Sequence, residues 1–216
     1  MDTKTLGKRE KNRIANRLAI LTAARECFSE HSYDQVTVRD IIRRTGLASG
    51  TFYNYFPDKQ SIFSALLDDY LLRLDANLKL KREESKTLED FIYNTYLAVF
   101  STIAEDPIVY QLAHYNEKII RDLFGTDIMG KNMESLENDI SDAVNRGLIP
   151  PIDQGYLSAA FFGVASEIGL RISRSVHSDV ETAAKFAQKL FMGGIPKIAA
   201  TAPTARKMTY TSLEPA

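Results

Sequence analysis

The segment 38–56, VRDIIRRTGLASGTFYNYF, constrains this chain more than any other. Val38, Ile41 and Ile42 recur at helical spacing behind Thr37, a good N-cap, and Gly46 is a good helix stop. Ala48 or Ser49 then opens a second short helix that ends in the aromatics Phe52, Tyr53, Tyr55 and Phe56. Two helices joined by a three- or four-residue turn make a helix-turn-helix, whose second helix lies in the DNA major groove. The segment points to a DNA reader rather than an enzyme.

The rest of the chain has helical period, with no convincing strand alternation, no repeat and no low-complexity tract, so the expected class is all-α. Ile14, Leu18, Leu21, Ala24 and Phe28 form an apolar stripe on a first helix over about residues 13–30. Asp58 caps a fourth helix with Ile62, Phe63, Leu66, Leu67, Tyr70, Leu71 and Leu74 on its buried face. Thr87 with Asp90 opens a helix over 88–104, and Asp106-Pro107 supplies N-cap and N1 for the next. Gly125 and Gly130 divide or kink the stretch 116–146, which ends at Gly147. Asp153 begins a long apolar helix to about Ser175, and Ser178 with Glu181 caps a last helix that stops at Gly193-Gly194. Residues 203–216 read as a loose, flexible tail.

The 216 residues are 44% hydrophobic and 25% charged, as in an ordinary soluble protein, and hold no apolar run of membrane-spanning length. The start of the chain lacks a secretory signal and Cys27 is the single cysteine, so a cytoplasmic location is expected. A net charge of -1 argues against DNA binding until its distribution is considered. Residues 1–60 carry 11 Lys and Arg against 7 Asp and Glu, whereas 61–216 carry 16 against 21. A basic N-terminal part on an acidic body suits a small DNA-binding domain joined to a domain with another task.

With Val38, Ile41, Ile42, Leu47, Phe52 and Phe56 packed inward on Leu21 and Phe28, the outward face of the second short helix carries Ser49, Gly50, Thr51, Tyr53 and Asn54. Short side chains let a helix sit deep in a groove. Asn pairs with adenine through two bonds, hydroxyls bond several base edges, and a Thr methyl touches that of thymine. An ordinary helical hairpin with a polar surface also fits this pattern.

Residues 13–59 resemble the N-terminal domain of the TetR family of bacterial transcriptional regulators. The matching features are Phe28-Ser29-Glu30-His31-Ser32-Tyr33, Val36-Thr37-Val38-Arg39-Asp40-Ile41, Thr45-Gly46-Leu47, and Gly50-Thr51-Phe52-Tyr53-Asn54-Tyr55-Phe56 followed by Lys59. His31-Ser32 replaces a small turn that often holds glycine in the family, which touches turn geometry rather than DNA contact. The resemblance implies three helices for DNA and about six more for ligand binding and dimerisation. The expected organisation is an arm and helix-turn-helix domain over 1–59, with the recognition helix over about 48–55, a helical ligand-binding and dimerisation domain over 60–202, and the tail. Residue by residue, it implies base contacts from Arg39, Ser49, Gly50, Thr51, Tyr53 and Asn54, and phosphate contacts from Thr37, Tyr55 and Lys59. The basic arm Lys8, Arg9, Lys11 and Arg13, ahead of the first helix, follows the DNA backbone with Arg13 on a phosphate, enters the minor groove, or is merely solvated.

In the C-terminal part, Phe91, Tyr96, Phe100, Tyr110, His114 and Phe124 fit the wall of an apolar pocket with a few polar handles, or simple core. The stretch from Asp106-Pro107 to Asp122 faintly resembles regulators of fatty-acid metabolism within the family. Small residues in the helix 153–175, Ala160 and Gly163 among them, let two backbones approach. With Phe186 and Leu190 of the last helix they form half of a four-helix dimer interface, as in the family, or a buried helix in a monomer.

No catalytic residue, metal site or cofactor is expected. His31, His114 and His177 match no metal-ligand spacing, there is no phosphate-binding glycine loop or nucleophile elbow, and Cys27 sits on the buried side of its helix. The expectation is a homodimeric transcriptional repressor that binds a palindromic double-stranded DNA operator and answers to a small, mainly apolar effector, without a membrane. The alternatives are a helical enzyme or small-molecule-binding protein with an incidental helix-turn-helix, and a DNA binder without sequence preference.

Overall fold

Helix starts in this chain are set by capping side chains, because the first N–H groups of a helix have no partner inside it. In the computed structural model, which describes residues 7–116, 118, 120, 127–150, 152–175 and 177–199, the helices are α1 (Lys8–Glu30), α2 (Val38–Thr45), α3 (Ser49–Tyr53), α4 (Lys59–Glu83), α5 (Leu88–Glu105), α6 (Pro107–Tyr115), α7 (Asp127–Asn145), α8 (Gln154–Ser173) and α9 (Val180–Ala199). No strand occurs among the described residues, so the fold is all-α. Reciprocal capping boxes open α2 (Thr37 with Asp40), α4 (Asp58 with Ser61) and α5 (Thr87 with Asp90). Asp106 caps α6 with Pro107 in its first turn, and Asp153 caps α8. Gly46 ends α2 at φ 67°, a left-handed conformation that costs a side chain with a Cβ energy and glycine little.

The helix-turn-helix is closed by apolar packing at its back. Ile20, Leu21, Ala24 and Phe28 of α1 meet Ile41, Phe52 and Phe56, and the first turns of α4 add Ile62 and Phe63. Tyr33, in the α1–α2 turn, stacks on Phe28 at 5.6 Å between ring centres and lies 4.8 Å from Phe63. Helix α4 thus supports the N-terminal unit with one end. Further along, it packs on α5, the central helix of the C-terminal part, which also contacts α8 and α9. Tyr96 of α5 stacks on Phe161 of α8 and Phe191 of α9 at 5.5 and 5.9 Å. Gly169 lets α8 approach its neighbours closely. A Cβ there would stand 2.6 Å from Ile103 Cδ1 and 2.8 Å from the Tyr110 hydroxyl.

The structure corrects four expectations. Helix α1 begins at Lys8, so Lys8, Arg9, Lys11 and Arg13 form its first turns rather than an arm ahead of it. Lys, Arg and Glu are good helix formers, and Glu10 pairs with Arg13 one turn on. The inward stripe of α1 is Ile20, Leu21, Ala23, Ala24, Cys27 and Phe28, while Ile14 and Leu18 stay 47% and 59% exposed. In these turns the inward side is taken by Asn16, bonded to Tyr55, and Arg17, over the Phe56 ring, which leaves Ile14 and Leu18 to one side of it. Helix α9 is capped by Asp179, which accepts from the Thr182 N–H, whereas Ser178 donates to the Ile172 carbonyl. The same helix continues through Gly193-Gly194 to Ala199, because glycine costs a helix only about 1 kcal/mol each and does not by itself end one. The tail 203–216 lies outside the described residues.

Candidate nucleic-acid interface

Helix α3 is two-sided. Phe52 is fully buried and Phe56, just beyond it, is nearly so, which pins the helix to the core. Ser49, Gly50, Tyr53 and Asn54 are exposed on the other side with Thr51 half-buried beside them, and Arg39 is exposed near the start of α2. The face expected to read bases is therefore solvent-facing as one surface. Gly50 stands out within it. A Cβ at this position would meet nothing within 4 Å, and its backbone φ is not left-handed. Nothing in the fold requires glycine here, and the bare backbone leaves this part of the surface open to close approach.

Beside α3, the first turns of α1 and the end of α3 bound an open cleft of about 340 Å³ lined by Arg9, Asn12, Arg13, Asn54 and Tyr55. Asn16 donates from Nδ2 to the Tyr55 hydroxyl at 3.2 Å, which fixes the phenol while leaving its own proton free to donate. Arg13 lies two-thirds exposed against Glu10 at 2.7 Å, and this pair holds the guanidinium charged and the Glu10 carboxyl below its ordinary range. An exposed ion pair of this kind is worth little and exchanges readily for a phosphate. Asn12 and Asn16 are absent from the sequence-derived site, and Arg9 entered it only as part of a basic arm. The signal for them was the spacing 9, 12, 13, 16, which falls on one helical face only once α1 is known to start at Lys8.

Two residues expected on phosphates have hydrogen-bond partners within the chain, Lys59 half-buried and Thr37 exposed. Lys59 Nζ donates to the carbonyls of Tyr33 at 2.6 Å and Val36 at 2.9 Å and lies 4.2 Å from the centre of the Tyr33 ring. Burial pushes the Lys59 ammonium below its usual pKa. The α1–α2 turn ends over the start of α4, and its carbonyls draw the ammonium inward. The Thr37 hydroxyl donates to Asp40 Oδ2 at 2.6 Å and accepts from the Asp40 N–H, completing the α2 cap. Arg44 of α2 is likewise occupied, by Glu30 and Glu26 of α1.

The residues expected around a ligand fall in two groups. Phe91, Tyr96 and Phe100 are all buried on α5, Tyr96 lies 5.5 Å from Phe100 between ring centres, and the Tyr96 hydroxyl donates to the Phe161 carbonyl at 3.1 Å. Tyr110 and His114 stack at 6.2 Å on α6, with the Tyr110 hydroxyl donating to the Ser166 carbonyl at 2.9 Å. Phe124 lies outside the described residues. Burial raises the pKa values of Tyr96 and Tyr110, so both phenols stay protonated.

On the far side of α8 and α9, Ala160, Gly163, Phe186 and Leu190 are all exposed, together with Ala159 and Phe162. Phe186 is 61% and Leu190 52% exposed, an uncovered apolar surface shared by two neighbouring helices. Cys27 is buried and its thiol pushed up in pKa by that burial, the opposite of what a nucleophile needs. Among the described residues no helix is long and apolar enough to cross a membrane, and no cluster of three metal-ligating side chains is present.

Residues 20–66 match the family described as bacterial regulatory proteins, tetR family. The chain is 26% identical over 143 residues to the HTH-type transcriptional repressor AcnR of Corynebacterium glutamicum, a match covering 66% of this chain and 69% of that protein. It is 38% identical over 61 residues to the repressor of the same name from Corynebacterium efficiens, covering 28% of this chain and 32% of that one. Among solved structures, it is similar to the fatty acid degradation regulator FadR from Bacillus halodurans, with TM-score 0.71, 22% identity, and 83% and 96% of the two chains covered. It is also similar to FadR from Bacillus subtilis, solved in complex with stearoyl-CoA, with TM-score 0.68, 20% identity, and 82% and 98% covered. These structural likenesses, at such identities, speak to the fold.

Proposed function

The chain is a transcriptional regulator of the TetR family, and on that premise we propose that it acts as a homodimeric, ligand-responsive repressor of a palindromic operator. The observation that carries the reading is α3, pinned behind by Phe52 and Phe56 and presenting a short-chained polar face with a bare backbone at Gly50. Arg39, Ser49, Gly50, Thr51, Tyr53 and Asn54 read base edges, and Arg13 and Tyr55 hold phosphates beside the cleft at the start of α1. The exposed apolar face of α8 and α9, with Ala160, Gly163, Phe186 and Leu190, meets its copy in a second subunit. Two recognition helices then reach half-sites about 34–36 Å apart, one turn of DNA.

The effector is a small, mainly apolar molecule held in the C-terminal helical part, near Tyr110 and His114. The regulator from Bacillus subtilis, with a similar fold, holds an acyl-CoA. Repression is the direction supported by the related proteins named repressors. The test is selection of DNA by the full-length protein, followed by Asn54→Ala. We expect the native protein to select a palindrome, and the variant to lose on the order of 1–3 kcal/mol on it and much less on unrelated DNA. An equal loss on both would mean that the outward face of α3 is not the reader.

A further inference from the structure

Asp106 sits between α5 and α6 at the point where three helices from both parts of the molecule converge. It is 7% exposed, and its two carboxylate oxygens do different work. Oδ1 accepts from the Val109 N–H and caps α6. Oδ2 accepts from Arg25 Nε of α1 at 3.2 Å, with Arg25 Nη2 3.1 Å away, and from Arg73 Nη2 of α4 at 2.8 Å. Asp69, more than half exposed, stands 3.4 Å from both guanidinium groups and completes the cluster. One turn along α6, Tyr110 presses on Gly169 of α8 and bonds its Ser166 carbonyl. The start of α6 is therefore keyed to the N-terminal unit through Arg25, and its next turn to the helix that carries Gly163.

We propose that Asp106, acting with Arg25 and Arg73, is a positioning residue that fixes the angle of the DNA-reading unit on the helical body, and with it the half-site separation the dimer accepts. The proposal rests on the dimeric reading above. None of the hydrogen bonds and ion pairs of the three residues goes to α3. A buried carboxylate facing two guanidinium groups is directional and holds its geometry strongly, because removing it leaves two cations facing each other. Surface packing of α1 on α6 alone has no such directional bond, and a few degrees of rotation there displaces the distant α3.

Asp106→Asn separates positioning from folding. Asparagine is as good an N-cap as aspartate, so α6 keeps its start. If its amide oxygen caps Val109, its NH₂ faces the two guanidinium groups, donor against donor. Arg25→Gln removes the link from the other side at a residue away from the α3 face. The native protein, both variants and their double mutant are assayed, as full chains, on the DNA selected by the native protein and on versions with half-sites moved closer or further by one or two base pairs. Melting and sedimentation are followed in parallel. We expect each single variant to lose about tenfold or more at the native spacing while altered spacings and unrelated DNA change by about twofold or less. The double mutant should lose no more than either single one, since all break one joint, and Arg25→Lys, which keeps the cation, should restore part of the preference. A spacing profile identical to native overturns the proposal. So does an equal loss at every spacing, which is the mark of a merely structural role. Should Asp106→Asn fail to fold, Arg25→Gln decides by the same criteria. A native protein that selects no paired half-sites overturns the dimeric reading, and this inference with it.

Discussion

Lys59→Met distinguishes a lysine that holds DNA from one that holds the protein together. Methionine keeps most of the apolar stem and removes the ammonium. That group donates two charge-assisted hydrogen bonds, to the Tyr33 and Val36 carbonyls, and faces the Tyr33 ring. At the low end for half-buried groups, each such bond contributes about 1.5 kcal/mol and the ring contact about 0.5 kcal/mol. Desolvation of the ammonium, visible in its lowered pKa, offsets part of this. The expected net loss is about 2–3 kcal/mol, which at ordinary urea sensitivities moves the unfolding midpoint down by about 1 M. Urea titration at fixed protein concentration measures it, since a dimer's stability depends on concentration. In the same protein, the slope of log K against log salt for DNA should stay as in the native chain. A lysine on a phosphate would instead lower its magnitude by about 0.9. Unchanged stability together with that lowered slope would refute the inward reading and return Lys59 to the DNA backbone.

Gly50→Ala should leave the fold intact or raise its stability by up to about 1 kcal/mol, since a Cβ there meets nothing and alanine favours helix. Operator binding by the same variant should fall, as measured by titration of labelled DNA; undiminished binding would remove the argument from the bare backbone. Gly163→Glu places a carboxylate in open space on the single chain, so helix content by circular dichroism should persist while sedimentation shows monomers and operator affinity is lost. An intact dimer would move the interface elsewhere. Gly169→Ala should cost about 1–3 kcal/mol in denaturant titration, because its Cβ displaces the Tyr110 hydroxyl and Ile103 together.

Signals confined to a few neighbouring residues were legible in the sequence. The Thr37, Asp58, Thr87 and Asp153 caps, the Gly46 stop and the Asp106-Pro107 start act on backbone groups within one turn, and the structure uses each as expected. The burial of Phe52 and Phe56 behind an outward Ser49, Gly50, Tyr53 and Asn54 followed from helical period alone. The apolar stripe of α1 was read only in part. Ile14 and Leu18 share the period of Leu21 and Phe28, yet both stay exposed, because polar Asn16 and Arg17 face Tyr55 and Phe56 in those turns. Period shows which residues lie on one face but not where a neighbouring helix centres its contact on it.

What a long polar side chain touches was decided only by tertiary structure. Lys59 at the start of a helix reads equally as a phosphate ligand or an internal clamp. The choice fell to carbonyls that the α1–α2 turn brings from 26 and 23 residues away. Arg25 and Asp106 are 81 residues apart, and nothing near either one announces the other. A cap is chosen by the backbone beside it, where the chain itself supplies the geometry. An ion pair between distant helices exists only after apolar packing has brought those helices together, so its place in the molecule is a product of the fold rather than a signal for it.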